Sequence, residues 1–389
     1  MKYPVHPFES WNLFTLSLAL LFALPFFSLL VTAGSGGENV WRHLLSTVMP
    51  GYLKNTFWLM VGVGSGTLFL GVSTSWLISM TEFPGRRMME WALLLPLAFP
   101  GYIIAMVYVE LLEYSGPVQA QLRLWFGWQN SQNYWFPRIA SVGGAITMLS
   151  LVLYPYVYLL ARTTFLQQSA TLLEASRMLG KSTRKSFLLI ALPLARPAIA
   201  VGVSLAMMET LADFGTMQLF AVQTFTTGIY HTWFGAYNAP GAAQLSLSLL
   251  IFISFFIFLE RYSRKQQRFH TQSSIQTTQT RYRLSGIRAV LALSFCLFPV
   301  VFGFALPAGL LIQWAAESWR GVILDRFFSD AGNSLILAGI TALLGVFFGL
   351  LMAFGSRLSK SRRVHWTARL VSLGYAFPGP VVALGVLLP

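Results

Sequence analysis

Glu209 and Asp213 are the side chains with most chemical potential in this sequence, since both are acids within a long apolar run. An ionisable group at membrane depth is costly and marks function by default. In an unbroken helix the i and i+4 positions share a face, so the pair would line a hydrophilic translocation pathway or hold a cation. The structural alternative is that the acids cap or hydrogen-bond neighbouring helices, with Asp213-Phe214-Gly215 marking a helix interruption. Catalysis has no comparable candidate: no nucleophile sits with a base, so no catalytic residue is assigned. No cluster of His, Cys and carboxylates has metal-ligand spacing, so no metal site is expected, and His231 stands alone among aromatics. Cys296 is the single cysteine and lies in an apolar run, which excludes a disulfide framework and reads as a small packed hydrophobe. Gly180-Lys181-Ser182 imitates the end of a phosphate-binding GxxxxGK[ST] loop, but Ala175 occupies the place of the first glycine and no buried strand precedes it. The chain is therefore expected to bind no cofactor and neither to bind nor to hydrolyse ATP.

The elements that position these residues are membrane helices. Of 389 residues 55% are hydrophobic and only 10% charged, against roughly 25% charged in a soluble domain. A crossing needs about 20 apolar residues. Such runs lie near 13–33, 53–80, 90–112, 139–161, 197–221, 241–259, 286–315, 331–356 and 366–389, which predicts nine spans. The first, apolar from Leu13 to Val31, is too long for a signal-peptide core and reads as a retained helix. The formal charge of +14 does not indicate nucleic acid, because the basic residues fall between spans and not on one soluble face. With the N-terminus in the cytoplasm only Arg42, Lys54, Arg123, Arg138, Arg320 and Arg326 fall outside, six of the 27 Lys and Arg. The excess of basic residues in cytoplasmic loops selects this orientation.

The chain also repeats itself. LAFPGYIIAM at 97–106 returns as YAFPGPVVAL at 375–384, and the same offset of 278 pairs Asn55 with Asn333, Leu59 with Leu337, Phe69 with Phe347, Gly71 with Gly349 and Ala105 with Ala383. Both copies run in the same direction, as in a fusion of two permease halves. The Pro-Gly after an aromatic predicts a break or kink at membrane depth, or a plain bend. From Arg261 to Arg283 the chain is rich in Gln, Ser and Thr with six basic residues and no acid, a cytoplasmic linker whose charge follows from positive-inside placement. The expected division is a first half over 1–261 with six helices, a basic linker over 262–285, and a partial second half over 286–389 with three.

Between the fourth and fifth spans lies QQSATLLEASRMLGKSTRKSFLLIALPLARPAI, residues 167–199. Thr171 with Glu174 forms a capping box, and Gly180 supplies the helix stop. Leu172, Leu173, Ala175, Met178 and Leu179 give this short helix an apolar face suited to docking on another protein, with a basic rim of Arg177, Lys181, Arg184 and Lys185.

Glu174-Ala175-Ser176, Gly180, Ile190, Leu192 and Pro193 resemble the EAA signature of binding-protein-dependent ABC importer permeases, with Ser176 where that family usually has a second Ala. The resemblance implies an all-α polytopic helix bundle, the type I importer permease fold, in the bacterial inner membrane. It further implies that the loop seats in a groove of a cytoplasmic ABC ATPase, present in two copies, and that a periplasmic substrate-binding protein delivers the cargo. The stretch from Met208 to Asn238 is similar to the corresponding segment of fused iron(III) permeases, with fused thiamine permeases as the rival inside the class. An ion-coupled secondary transporter is the rival outside it, for which only Glu209 and Asp213 would serve as the ion site. Carrying the repeat forward puts a second coupling glutamate about 60 residues beyond Pro389, so that a chain of about 540 residues with about 12 spans is expected.

Overall fold

The computed structural model describes residues 9–168, 176, 178–264, 281–321, 324–358, 362–372 and 377–387. The helices run α1 Glu9–Ser35, α2 Gly37–Thr47, α3 Met49–Met80, α4 Arg86–Ala92, α5 Gly101–Leu112, α6 Pro117–Phe126 and α7 Val142–Gln167. They continue with α8 Thr183–Ser186, α9 Leu192–Ala212, α10 Gly215–Leu219, α11 Phe225–Tyr230, α12 Ala239–Arg264 and α13 Ile287–Val300. The last are α14 Leu306–Ser318, α15 Leu324–Leu358, α16 Arg362–Ser372 and α17 Gly379–Leu387.

Among the described residues six helices are long and apolar enough to cross a membrane: Phe14–Ser35, Met49–Met80, Val142–Gln167, Phe187–Ala212, Ile287–Ser318 and Arg326–Arg357. Three of the nine expected spans are not single rods. The third is bent by 88° between Arg86–Ala98 and Gly101–Phe126. The fifth stops at Ala212 and restarts at Gly215, and the ninth is divided between α16 and α17. The third and ninth breaks share one cause. Pro100 and Pro378 cannot donate a helical hydrogen bond, and α5 and α17 begin at Gly101 and Gly379, so the 278-residue repeat is a repeat of structure as well.

The tightest packing joins α3, α7 and α9. A Cβ on Gly71 would lie 2.6 Å from Cβ of Val157, and one on Gly202 would lie 2.7 Å from its Cα. Glycine at both places lets three backbones meet at Val157, the small-residue device of membrane helix association. Two of the hydroxyls buried in α3 are satisfied within the helix: Thr67 Oγ1 donates to the Val63 carbonyl at 2.7 Å and Thr74 Oγ1 to that of Leu70 at 2.6 Å. A second core joins α1, α11, α12 and α17 through Leu29, Ile229, Leu249 and Leu384. α15, the repeat counterpart of α3, is apolar and exposed along most of its length, a surface suited to lipid tails.

The helical fold carries one small strand pair. β1 Thr81–Glu82 pairs in parallel with β2 Tyr282–Arg283, and the Leu284 amide donates to the Glu82 carbonyl at 2.9 Å. The end of the basic linker is thus docked on the first half. Residues 265–280 of that linker lie outside the described residues.

Candidate functional site

In the loop between α7 and α9 the chain turns at Gly180. Its φ of +79° is the left-handed region, which glycine enters without steric penalty. The Lys181 amide then donates to the Ser176 carbonyl at 3.1 Å, the six-to-one bond of a Schellman stop. Ser182 opens the second arm, its carbonyl accepting from the Ser186 amide at 2.9 Å. The arms are joined by the Ser176 and Ser186 hydroxyls, 2.8 Å apart and both buried. Ser176, the departure from the family pattern, therefore makes a bond that alanine could not. Beyond the turn Met178 and Leu179 are 90% and 81% exposed, an apolar tip presented outward, with Lys181 and Lys185 also exposed. Glu174 and Ala175, together with Thr171, Leu172, Leu173 and Arg177, lie outside the described residues.

Ile190, Leu192 and Pro193 shape the root of this loop. Pro193 has no N–H and its ring would collide with a regular α-helical carbonyl. The helix answers with a wider π turn over Phe187–Ala191, in which the Leu192 amide reaches back to the Phe187 carbonyl. The root is clasped by rings: Trp76 lies 5.5 Å from Phe165 and 4.5 Å from Phe187 between centroids. Gln168 Nε2 donates to the Ala191 carbonyl at 2.9 Å. The root of the loop is therefore packed directly against α3 and α7 and continues into α9.

At the other end of α9 the two sequence-predicted interruptions meet. Asp213 ends α9 with a helical φ of -71° and an extended ψ of 115°, and its carboxylate feels the charge of Glu209 one turn back. Asp213 also caps the short α10: Oδ1 accepts from the Thr216 amide and Oδ2 from its hydroxyl, each at 2.7 Å. A Cβ on Gly101 would lie 3.0 Å from Asp213 Oδ2, and one on Gly215 would lie 2.8 Å from Cβ of Tyr102. The Pro-Gly break and the Asp-Phe-Gly break are thus packed against each other. Glu209 is half-buried on α9, one helical turn away. His231 belongs to a ring cluster, 5.9 Å from Tyr230, and Cys296 is buried in the main apolar core.

A third feature was not foreseen. One face of α7 carries Tyr154, Tyr158 and Arg162 at steps of four, and all three grip the broken span. Tyr154 donates to the Leu93 carbonyl at 2.7 Å and Tyr158 to that of Glu90 at 2.9 Å, while Arg162 pairs with the Glu90 carboxylate. The break explains the need: Pro96 cannot donate, and the amides of Leu94 and Leu97 serve Trp91 and Leu94, so nothing helical reaches Glu90 or Leu93. Tyr108 of α5 plays the same part just beyond α13, donating at 2.6 Å to Phe302, a carbonyl left over because Pro307 follows the π turn at Val301–Ala305. The available signal was the period-four spacing of polar residues within an apolar span.

The comparisons with known proteins bear on this arrangement as a whole. The family model described as a binding-protein-dependent transport system inner membrane component matches residues 67–268, more than half of the 389-residue chain and all of the loop and junction. The chain belongs to this family. It is accordingly a multi-pass inner-membrane transport component. Its sequence is 27% identical over 383 residues to the Fe(3+)-transport system permease protein FbpB 2 of Haemophilus influenzae, covering 96% of this chain and 70% of that protein. Against the ferric transport system permease protein FbpB of Actinobacillus pleuropneumoniae it is 24% identical over 378 residues, 90% of this chain and 53% of the relative. The molybdenum transport system permease protein ModB of Escherichia coli K12 matches at 27% over 210 residues, 51% of this chain and 88% of the relative. The chain thus spans between about half and 70% of the length of these ferric relatives.

Proposed function

We propose that this inner membrane component forms the passage of an ATP-binding-cassette importer for iron(III), delivered by a periplasmic binding protein and driven through the loop at 167–199. The observation that carries the substrate is the extent of the likeness. The ferric relatives align with 96% and 90% of the chain, through the linker and into the second repeat, whereas the molybdenum relative aligns with 51%. Glu174, Ala175, Ser176, Gly180, Ile190, Leu192 and Pro193 are assigned to ATPase coupling, supported by the exposed Met178–Leu179 tip and the clasped root. Two ATPase copies, a cytoplasmic N-terminus, a passage beside Glu209 and Asp213, and the division at 261 and 286 belong to the same reading. Nucleotide is bound by the partner, and this chain carries no cofactor. An ion-coupled mechanism is less well supported, because both carboxylate oxygens of Asp213 are engaged by Thr216. The test is uptake by vesicles holding the complete importer, with labelled iron(III), molybdate and thiamine offered in turn to matched receptors. Iron(III) accumulation that requires ATP inside supports the reading; uptake of thiamine or molybdate alone, or uptake driven by an ion gradient without ATP, overturns it.

A further inference from the structure

The grip of α7 on the broken span continues past Glu90. Arg86 donates through Nη1 to Glu90 Oε2 at 3.2 Å and to the Ile78 carbonyl at 3.2 Å, and its Nε forms an ion pair with Glu82 Oε2 at 3.0 Å. Glu82 in turn faces Arg281 at 3.6 Å, and Arg281 donates to the Ser79 carbonyl at 3.4 Å, beside the paired strands. A chain of charges therefore runs from the arm that carries the loop, through α4, to the end of the linker and the start of α13.

Placement of basic residues in the cytoplasm does not explain this. Arg87 satisfies that preference from the surface, whereas its neighbour Arg86 is only 5% exposed. Nor is stability an adequate reason, because desolvation cancels most of the attraction in a buried ion pair, and an apolar contact of equal volume does as well or better. What directional ion pairs supply is fixed position: greasy surfaces slide over one another, whereas a guanidinium held by two carboxylates does not.

We propose that Glu90, with Arg86 and Arg162, is a positioning link that makes α7, the broken span α4–α5 and the linker end move as one body when the cytoplasmic ATPase displaces the loop. The link rests on the importer reading above. It assigns Glu90 the central part, since this one carboxylate receives both arginines.

The test uses the complete importer in vesicles, with Glu90→Gln, Arg162→Gln, their combination, and Arg87→Gln as control. Glu90→Gln is expected to leave ATPase binding and basal hydrolysis in place while lowering substrate moved per ATP by about threefold or more, the range over which connected residues modulate coupling. Arg162→Gln should do the same, and the double variant should fall no further, since both changes cut one link. Hydrogen exchange at 281–284 should respond to nucleotide in the native protein and lose that response in Glu90→Gln. Arg87→Gln should match the native ratio. An unchanged ratio, additive losses in the double variant, or loss of protection at 90–94 before nucleotide is added would overturn the proposal, the last by making Glu90 a folding residue. Failure of the native chain to bind the ATPase at all would instead sink the importer reading.

Discussion

Ser176 and Ser186 offer a quantitative test of how the loop is held. Their hydroxyls lie 2.8 Å apart and are 5% and 2% exposed, so Ser176→Ala or Ser186→Ala leaves a buried group without its partner. The penalty for such an orphan is about 1–3 kcal/mol. A helical serine can turn its hydroxyl onto the carbonyl four residues back, which puts the expected cost at the low end, about 1 kcal/mol and so about fivefold in the local opening equilibrium. With both serines replaced no polar group is stranded, and the double variant should return to within about twofold of the native value. The Lys181 amide is the natural reporter, because it is bonded to the Ser176 carbonyl at 3.1 Å and exchanges when the turn opens. Each single variant should exchange about fivefold faster there. Single variants with native exchange, or a double variant whose acceleration is the product of the singles, would refute the coupling of the two arms through this pair.

Other outcomes follow from the same packing. Gly202→Val drives a side chain into the backbone of α7 and should lower thermal stability in detergent by about 1–3 kcal/mol; a native melting point would show that α7 and α9 part easily. Tyr108→Phe strands the Phe302 carbonyl and should cost about 1–3 kcal/mol by the same measurement, whereas Tyr102→Phe, at an exposed ring, serves as the comparison. Asp213→Ala removes the α10 cap and should destabilise by about 0.5–2 kcal/mol, with Asp213→Asn milder; lost transport at native stability would return Asp213 to a direct role in the passage. Gly180→Val forces a branched side chain into left-handed backbone at about 1–2 kcal/mol and should reduce ATPase-stimulated uptake without preventing insertion. Gly180→Asn should be better tolerated, and equal losses in both would refute the conformational argument.

What could be read beforehand depended on whether the cause was local. The ends of the first, second, seventh and eighth spans fall within a few residues of expectation because apolar length alone decides them. Gly180 and the FPG pairs were legible because glycine and proline act on their own backbone. Asp213 was ambiguous for a physical reason: its capping bonds to Thr216 are local, but its packing against Gly101 joins segments more than a hundred residues apart in sequence. The ion pairs around Glu90 were missed because Glu82, Glu90, Arg162 and Arg281 come from four separate segments, each of which alone looks like ordinary cytoplasmic charge. The short strand pair escaped notice because two residues carry no periodicity.

The π turn at Phe187–Ala191 gives the spacing along this arm a meaning of its own. It holds one more residue than an α turn would, and each residue advances an α-helix by about 100°. Everything beyond it, from Ala195 through Gly202 to Glu209, therefore sits at a rotational phase that this extra residue sets relative to Ser186 and Phe187. Deleting one residue between Leu188 and Ile190 would leave composition and hydropathy nearly untouched, yet it would turn Gly202 away from Val157 and present another stripe of α9 to its neighbours. The arm behaves as a keyed shaft, in which insertions and deletions are more damaging than substitutions of equal chemical size.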